Sequence, residues 1–213
     1  MTYRTSFDLS VYFVADPSVC GGRRIEDVVE AAVRGGVTMV QLRNKIDSAD
    51  IILEQARSIQ GILADSNISF LMNDHVEIAA KINADGVHIG QGDMDARQAR
   101  SIIGEGKILG LTAYTRTHYD LIDPDVIDYV GTGPFYSTLT KPDKAVLGAD
   151  GFKVLSESVS VPVVGIGGIT PDNAVDVICA GAAGVAMMRS VSEADDPSVA
   201  VSNFVSAVAQ ARQ

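Results

Sequence analysis

Hydrophobic and polar positions repeat one pattern along the chain, in which a short β-branched run is followed by a turn and a longer amphipathic stretch. A period of two residues in the short runs indicates strands, and a period of about 3.6 in the long ones indicates helices. The predicted strands are 9–14, 38–43, 69–72, 86–89, 108–111, a run that opens at 127, 161–166 and 184–188. The predicted helices are 25–34, 49–64, 76–82, 96–103, a weak one near 119, 152–159, 172–180 and 198–209.

This alternation favours an α/β fold, and about eight strand–helix pairs in 213 residues predict a (β/α)₈ TIM barrel. A doubly wound open sheet is the rival architecture, but it needs a glycine-rich phosphate turn after its first strand. Ala15, Asp16 and Pro17 stand there instead of that motif. No proline-rich linker, charge block or low-complexity segment divides the chain, so residues 1–213 are expected to form one TIM-barrel domain.

Composition and charge narrow the range of partners. Hydrophobic residues make up 46% of the sequence without a run long enough to span a bilayer, and residues 1–9 lack the charged-then-apolar form of a secretory signal. We therefore expect a cytoplasmic protein that neither spans nor binds a membrane. The formal net charge of −10 argues against nucleic acid as a partner, because the long-range field repels it. An anionic small substrate would then need a local basic cluster or a metal ion.

The stretch 128–141 begins as a strand and breaks into glycine, proline, hydroxyls and a lysine. Glycine and proline end the strand, since glycine permits positive φ and proline lacks an N–H donor. After the break come Ser137, Thr138, Thr140 and Lys141. Hydroxyls, an ammonium group and free backbone N–H groups on a turn can hold an anion, so the stretch predicts a phosphate-binding loop. A solvated polar loop is the alternative, and it stays open on these residues alone.

Two cations follow the second predicted strand. Alternation along 38–43 and beyond places Gln41, Arg43 and Lys45 on one face. A barrel interior admits such residues only at its mouth, where they could bind an anionic ligand or form ion pairs with the carboxylates of neighbouring strands. We favour anion binding, because two adjacent cations suit a multiply charged ligand.

Two carboxylates follow neighbouring strands. Asp74 comes after the third strand and Asp93 after the fourth, which predicts a Mg²⁺ site at this end of the barrel. Mg²⁺ is commonly held by one or two carboxylates, with water and substrate phosphate oxygens filling its remaining positions. Helix capping is the alternative, with Asp74 capping the helix at 76–82 and Asp93 the helix at 96–103.

Glycines follow the seventh strand, and Met188, Arg189 and Ser190 end the eighth. Such loops are the usual phosphate cradle of this fold, because glycine lets backbone N–H groups approach phosphate oxygens. His88 alternates inward on its strand and is interpreted as a hydrogen-bonded core histidine. The sequence offers no Ser-His-Asp or Cys-His arrangement for nucleophilic catalysis.

The motifs Q-L-R-N-K, N-D, H-I-G-Q-G-D, V-G-T-G-P-F-Y-S-T-L-T-K and V-G-I-G-G-I occur in this order. With them the chain resembles the thiamine-phosphate synthase family over nearly its whole length. The resemblance implies a (β/α)₈ barrel that joins hydroxymethylpyrimidine diphosphate to hydroxyethylthiazole phosphate with Mg²⁺, giving thiamine phosphate and diphosphate.

The family's site residues carry over by position onto this sequence. The pyrimidine-diphosphate contacts implied by the resemblance are Gln41, Arg43, Lys45, Asn73, Thr112 and Lys141, and the implied metal ligands are Asp74 and Asp93. The implied thiazole-phosphate contacts are Thr138, Thr140, Gly168, Met188 and Arg189. Within these sets, the expected catalytic residues are Arg43, Lys45, Thr112 and Lys141.

Four positions depart from the family's common pattern. Thr112 and Tyr114 stand in T-A-Y-T where S-A-H-T is usual, Leu139 replaces an acidic residue between the threonines, and Arg189 replaces a small hydroxyl residue. Thr112 keeps the hydroxyl, and Arg189 could strengthen the phosphate cradle. Leu139 bears on thiazole-side affinity and leaves the reaction class unchanged.

A dissociative substitution suits the predicted site residues, which include cations and two metal ligands but no convincing general base or nucleophile. The main alternative is a thiazole tautomerase of the same fold, which resembles the family but uses a histidine near the position of Tyr114. A different class is a non-catalytic protein that binds a phosphorylated ligand. The expected partners are phosphorylated small molecules, and a homo-oligomer is possible.

Overall fold

The computed structural model describes residues 6–140 and 142–213. The predicted catalytic and substrate-binding residue Lys141 therefore lies outside the described residues. Most of the segment 1–9, on which the absence of a secretory signal was predicted, lies outside them as well. The predicted cytoplasmic location and the possible homo-oligomer stay predictions.

The eight described strands are all parallel and close into a barrel in which each strand pairs with its neighbours in sequence. They are β1 Val11–Ala15, β2 Met39–Leu42, β3 Ser69–Asn73, β4 Gly86–Ile89, β5 Ile108–Thr112, β6 Tyr129–Thr132, β7 Val163–Ile166 and β8 Gly184–Met187. The predicted TIM barrel is confirmed, and the doubly wound sheet is excluded because β1 pairs with β8. Closure brings the carboxyl ends of all strands around one mouth.

The described helices are α1 Ile25–Gly35, α2 Ala49–Leu63, α3 Val76–Lys81, α4 Ala96–Ile103, α5 Arg116–Asp120, α6 Gly148–Ser156, α7 Ala174–Cys179, α8 Arg189–Ser192 and α9 Pro197–Ala211. Helices α1 to α7 lie between successive strands, and α8 and α9 follow the last strand. The short helix α8 and a 3₁₀ turn at Pro17–Val19 were not predicted, because runs this short leave no periodic signal. No helix in the described part of the chain combines the length and apolar character needed to span a membrane.

Strand alternation divides the buried side chains into two clusters. Val40 and Leu42 of β2 point outward into the large cluster between the sheet and the helices. Met39 points inward, where it joins a small cluster that includes Tyr12 and Tyr129. The barrel interior is thus filled by side chains below the mouth, and open space is left at its carboxyl end.

A buried ion pair lies just before β6, at the end of the barrel opposite the mouth. Asp128 accepts hydrogen bonds from Arg100 Nη2 at 2.6 Å and from the backbone N–H of Leu109 at 2.7 Å. The guanidinium of Arg100 also donates to the carbonyl oxygen of Val126 at 2.7 Å. These bonds join α4 to β5 and β6, so the start of the stretch 128–141 is structural.

Candidate active site

A cavity of about 660 Å³ opens at the carboxyl ends of the strands. Its walls come from β1 to β8 and from the loops that follow β6, β7 and β8. The predicted site residues that line it are Gln41, Arg43, Asn73, Thr112, Thr138, Thr140, Gly168, Met188 and Arg189. The structure therefore brings together nine residues that are far apart in sequence, while their roles toward a ligand stay predictions. Lys45, Asp74 and Asp93 do not line this cavity.

Gln41 and Arg43 point into the mouth as the alternation of β2 predicts. Gln41 is only 3% exposed, and its amide nitrogen donates to the hydroxyl of Tyr12. Arg43 lies at the rim with its guanidinium paired to the buried carboxylate of Asp16, which follows β1. Asp16 also accepts from the backbone N–H of Ser18 at 2.9 Å, so its position is held by the 3₁₀ turn.

The expectation that Lys45 shares the face of Gln41 and Arg43 is wrong. The strand ends at Leu42, so the two-residue alternation does not extend as far as residue 45. Lys45 Nζ instead lies 2.9 Å from Asp74 Oδ2, across the gap between the ends of β2 and β3. Both cations after β2 are thus ion-paired to carboxylates of neighbouring strands, and a bound anion would compete with those partners.

The capping alternative for the two predicted metal ligands is wrong. The N-cap of α3 is His75, without a capping side chain, and the N-cap of α4 is Asp95, whose carboxylate accepts from Arg97 and Gln98. Asp74 has a positive φ of 61° and turns its side chain to Lys45, while Asp93 Oδ2 accepts from the N–H of Gly90 at 2.8 Å. Neither carboxylate is needed for a helix.

The donor set at these two strand ends fits Mg²⁺. Asp74 and Asp93 follow adjacent strands and offer hard carboxylate oxygens, the ligands that this ion prefers. Among residues 6–140 and 142–213, no three His, Cys, Asp or Glu side chains form a group that could hold a metal ion. A Mg²⁺ site here would therefore rest on two carboxylates, with water and substrate oxygens as the remaining ligands, and it stays a prediction.

The loop after β6 is docked on the end of β7 by backbone hydrogen bonds. Phe135 donates to the carbonyl of Ile166 at 2.9 Å, and Tyr136 donates to that of Gly167 at 3.0 Å. Gly168 has φ of 65°, and a Cβ there would lie 2.8 Å from Cβ of Tyr136 and would collide with the carbonyl oxygen of Ser137. Only glycine permits this approach, which places Thr138 and Thr140 on the cavity wall beside Gly168.

Arg189 is the first residue of α8 and also lines the cavity. Its Nη1 pairs with Glu193, which also lines the cavity. Its buried Nε has no hydrogen-bond partner among the described residues. The side chain is 36% exposed and lines the cavity, so its guanidinium can meet an acceptor there, and the carboxylate of Glu193 would compete with that acceptor. The sequence alone left open whether Arg189 faces the cavity or only solvent, and the structure shows that it lines the cavity.

A chain of buried polar groups crosses the barrel interior beneath the cavity. From the hydroxyl of Tyr12 it passes to the hydroxyl of Tyr129 at 2.8 Å, then to Nδ1 of His88 at 2.9 Å, and from Nε2 of His88 to Oγ1 of Thr112 at 2.8 Å. The prediction that His88 is hydrogen-bonded inside the barrel is confirmed. Burial raises the pKa of both Tyr12 and Tyr129 above the usual value for tyrosine, so both hydroxyls keep their protons.

Sequence reasoning missed Tyr12, Tyr129 and Asp16. The two tyrosines were given no role beyond the predicted strands that contain them, although alternation with the apolar Val11 and Val130 was a signal that they point inward. Space for the Tyr129 ring depends on Gly110, because a Cβ at that position would overlap the ring. Asp16 was noted only for failing to match a glycine-rich turn, and its position directly after β1 was the available signal.

Comparison with known proteins agrees with this geometry. The family model described as thiamine monophosphate synthase matches residues 11–191. A thiamine-phosphate synthase of Xanthobacter autotrophicus is 41% identical over 207 residues, covering 97% of this chain and 98% of the relative. A thiamine-phosphate synthase of Bacillus velezensis is 42% identical over 202 residues, covering 92% and 89%.

A solved structure supports the same relationship. The thiamine phosphate pyrophosphorylase from Pyrococcus furiosus superposes with a TM-score of 0.88 at 29% identity, covering 96% of this chain and 98% of that one. The similarity therefore extends over the whole barrel and includes the strands that carry the cavity residues. On the family match and the curated relatives, this chain belongs to the thiamine monophosphate synthase family.

Proposed function

We propose that this protein is a thiamine-phosphate synthase that condenses hydroxymethylpyrimidine diphosphate with hydroxyethylthiazole phosphate and releases diphosphate. The observation that carries the proposal is the arrangement of polar side chains on two halves of one cavity. Gln41, Arg43, Asn73 and Thr112 come from β2, β3 and β5. The other set comes from the loops after β6, β7 and β8. Two ligands bound to these halves would meet at the centre of the mouth.

The first half would bind the pyrimidine diphosphate. Gln41 and Thr112 lie deep in the cavity and would contact the pyrimidine ring, while Arg43 at the rim would bind the diphosphate. A guanidinium binds phosphate oxygens in a bidentate manner, which suits a multiply charged group. Lys45 would approach the same diphosphate from outside the cavity, and Lys141 is proposed to join it from the loop after β6.

The second half would bind the thiazole phosphate. Thr138 and Thr140 supply hydroxyl groups, Gly168 allows close approach of the backbone, and Arg189 adds a positive charge. Met188 lines the wall next to Arg189 and offers an apolar surface to the thiazole ring. With a net charge of −10, the chain needs such local cations to attract two anionic substrates.

We propose a dissociative substitution for the bond-forming step. The bond from the pyrimidine methylene carbon to the diphosphate oxygen breaks first, and its electron pair leaves with the diphosphate. The amino group and ring nitrogens of the pyrimidine delocalise the positive charge on the methylene carbon, which the thiazole nitrogen then attacks. Arg43, Lys45 and Lys141 would stabilise the negative charge that develops on the leaving group, which is the main catalytic demand of such a step.

We propose that the reaction depends on Mg²⁺. Asp74 and Asp93 would hold the ion, and when bound it would neutralise charge on the departing diphosphate. The ion pair of Lys45 with Asp74 links the proposed metal site to the proposed anion site, since one carboxylate contacts both. Binding of metal and diphosphate would therefore rearrange this pair.

The test is a two-substrate assay with purified protein. We expect thiamine phosphate and diphosphate to form in equal amounts with Mg²⁺ and to stop in the presence of excess chelator. In Arg43→Ala, loss of charge stabilisation should lower kcat at least about 100-fold, as removal of one electrostatic stabiliser typically does. Rapid-quench measurement of diphosphate release in a single turnover would report the chemical step directly.

Arg97→Ala is the matched control for Arg43→Ala. Arg97 is also ion-paired to an aspartate, but its side chain is 74% exposed on α4, and it does not line the cavity. Its kcat should stay within about twofold of the parent, as expected for a surface substitution. Isomerisation of the thiazole without diphosphate release would identify a tautomerase, and tight binding without turnover would identify a non-catalytic binding protein.

A further inference from the structure

The hydrogen-bonded chain beneath the cavity has a defined direction. Gln41 presents its amide nitrogen to Tyr12, so the Tyr12 oxygen accepts at that side. If Tyr12 also accepted from Tyr129, its own hydroxyl hydrogen would have no acceptor among the described residues, in a place where burial makes an unpaired donor costly. Tyr12 therefore donates to Tyr129.

The same argument continues through the next two links. The Tyr129 oxygen accepts from Tyr12, so its hydrogen must go to Nδ1 of His88. A neutral imidazole that accepts at Nδ1 carries its hydrogen on Nε2, and Nε2 lies 2.8 Å from Oγ1 of Thr112. Thr112 therefore accepts from His88, and its own hydroxyl hydrogen is left for a group in the cavity.

We propose that His88 is a positioning residue that makes Thr112 a hydrogen-bond donor toward the bound substrate. Its Nε2–H tautomer is set by the direction of donation from Gln41 through Tyr12 and Tyr129. Thr112 alone could rotate and either donate or accept, because a hydroxyl has both capacities. With His88 donating to one lone pair of its oxygen, Thr112 turns its hydroxyl hydrogen away from His88 and toward the cavity. A ring nitrogen with a free lone pair is an acceptor that suits this hydrogen.

Two glycines leave room for this arrangement. A Cβ at Gly110 would overlap the ring of Tyr129, and a Cβ at Gly131 would lie 3.0 Å from Cε1 of His88. The rings of His88 and Tyr129 lie with their centroids 5.4 Å apart, and Tyr129 packs edge-on against Tyr12. The three rings are therefore held by packing as well as by hydrogen bonds, as a positioning role requires.

The tautomer of His88 can be measured without substrate by ¹⁵N NMR of protein labelled at histidine. The chain has three histidines, and His88→Gln identifies the signal of His88 by its loss. We expect the Nε2–H tautomer in the parent. In Tyr129→Phe, Nδ1 loses its donor, and the signal should shift toward a mixture of tautomers. Tyr119→Phe is the matched control, since Tyr119 is buried and its hydroxyl bonds Thr132 at 2.5 Å, outside this chain of groups.

A double-mutant cycle tests whether His88 acts through Thr112. We expect His88→Leu and Thr112→Val each to lower kcat. The kcat of the double variant should be no more than about twofold below that of the less active single variant. In His88→Gln, the amide N–H can donate to Thr112, so kcat should recover in part. Fully additive losses would leave His88 with a merely structural role and overturn the proposal. An Nδ1–H tautomer in the parent would also overturn it, because donation would then run the opposite way.

This inference rests on the proposed function only in naming the substrate, so the two can fail separately. Absence of thiamine phosphate formation by the parent protein would contradict the proposed function and leave the tautomer measurement intact. If His88→Leu does not fold, the comparison of the parent with Tyr129→Phe and Tyr119→Phe still decides the direction of donation.

Discussion

At the scale of single residues, Arg189 shows how one ion pair can adjust affinity. Its guanidinium pairs with Glu193 at the wall of the open cavity, and the two side chains are 36% and 47% exposed. In such partly solvated pairs the attraction is worth only about 0.2–1 kcal/mol, so a phosphate could displace the carboxylate. Glu193 is then a competitor that weakens binding of the phosphate.

We expect Glu193→Gln to lower the KM for the thiazole phosphate about two- to fivefold, since each tenfold corresponds to about 1.4 kcal/mol. The amide keeps the size of the side chain but no longer competes as an anion. Arg189→Ser should act in the opposite direction and raise this KM about tenfold, through loss of a charge-assisted hydrogen bond. Steady-state kinetics with the pyrimidine diphosphate saturating would measure both values.

Glu157→Gln controls for the loss of one negative charge. Glu157 pairs with Lys153 at 3.9 Å on the outside of the barrel, so its substitution changes the net charge equally without touching the cavity. An increase of the KM in Glu193→Gln would show that the carboxylate helps to bind the substrate and would contradict the proposed competition.

At the scale of elements, the site depends on how the loop after β6 docks against the end of β7. Backbone hydrogen bonds from Phe135 and Tyr136 hold the two together, and Gly168 lies in their contact. Because the contact consists of backbone atoms, a side chain at residue 168 cannot be accommodated by a change of rotamer. The position of Thr138 and Thr140 therefore depends on a glycine in another element.

The variant Gly168→Ala should raise the KM for the thiazole phosphate by at least about tenfold, with a smaller effect on the KM for the pyrimidine diphosphate. The left-handed conformation alone costs a residue other than glycine roughly 1–2 kcal/mol, and displacement of the Ser137 carbonyl adds to this cost. Separate titration of each substrate would detect the asymmetry.

Gly61→Ala is the comparison for this glycine substitution. Gly61 lies within α2, and a Cβ there meets nothing within 4 Å. Alanine is favoured over glycine in a helix interior by about 0.5–1 kcal/mol, so this variant should be slightly more stable and kinetically unchanged. Equal effects of Gly168→Ala on both substrates would argue for a general loss of structure rather than movement of one loop.

At the scale of the whole molecule, the candidate active site and a buried ion pair that stabilises the fold lie at opposite ends of the barrel. The cavity lies at the carboxyl ends of the strands, whereas the pair of Arg100 with Asp128 lies beyond their amino ends. Both side chains of this pair are almost fully buried, at 4% and 3% exposure. Removal of one partner would leave the other as an uncompensated charge in the protein interior.

Asp128→Ala should lower the free energy of unfolding by about 3–5 kcal/mol, as breaking a buried ion pair does, while kcat of the remaining folded enzyme stays unchanged. Urea unfolding followed by circular dichroism would measure the stability. Asp120→Ala breaks the pair with Arg116, in which both side chains are more than half exposed, and should change stability by no more than about 0.5 kcal/mol. A similar loss in the two variants would refute the assignment of Asp128 to a buried structural pair.

Much of this architecture could be predicted from the sequence because it is local. The order of strands and helices, the inward direction of Gln41 and Arg43, and the polar residues at strand ends all follow from hydrophobic period and chain order. The boundaries of the helices and strands were predicted less accurately than their order. For example, α6 begins at Gly148 rather than at residue 152, because the backbone of Leu147 and Gly148 bonds to Pro134 and Phe135.

Contacts between distant residues were decided only by closure of the barrel. The sequence by itself determined that Gln41 and Arg43 reach the mouth, since alternation and the ends of apolar runs are local properties. Tertiary structure decided the partners of the two cations after β2, Arg43 with Asp16 and Lys45 with Asp74. It also joined Tyr12 to Tyr129, 117 residues apart, because strands that are not neighbours in a closed sheet still share one interior, which no local pattern describes.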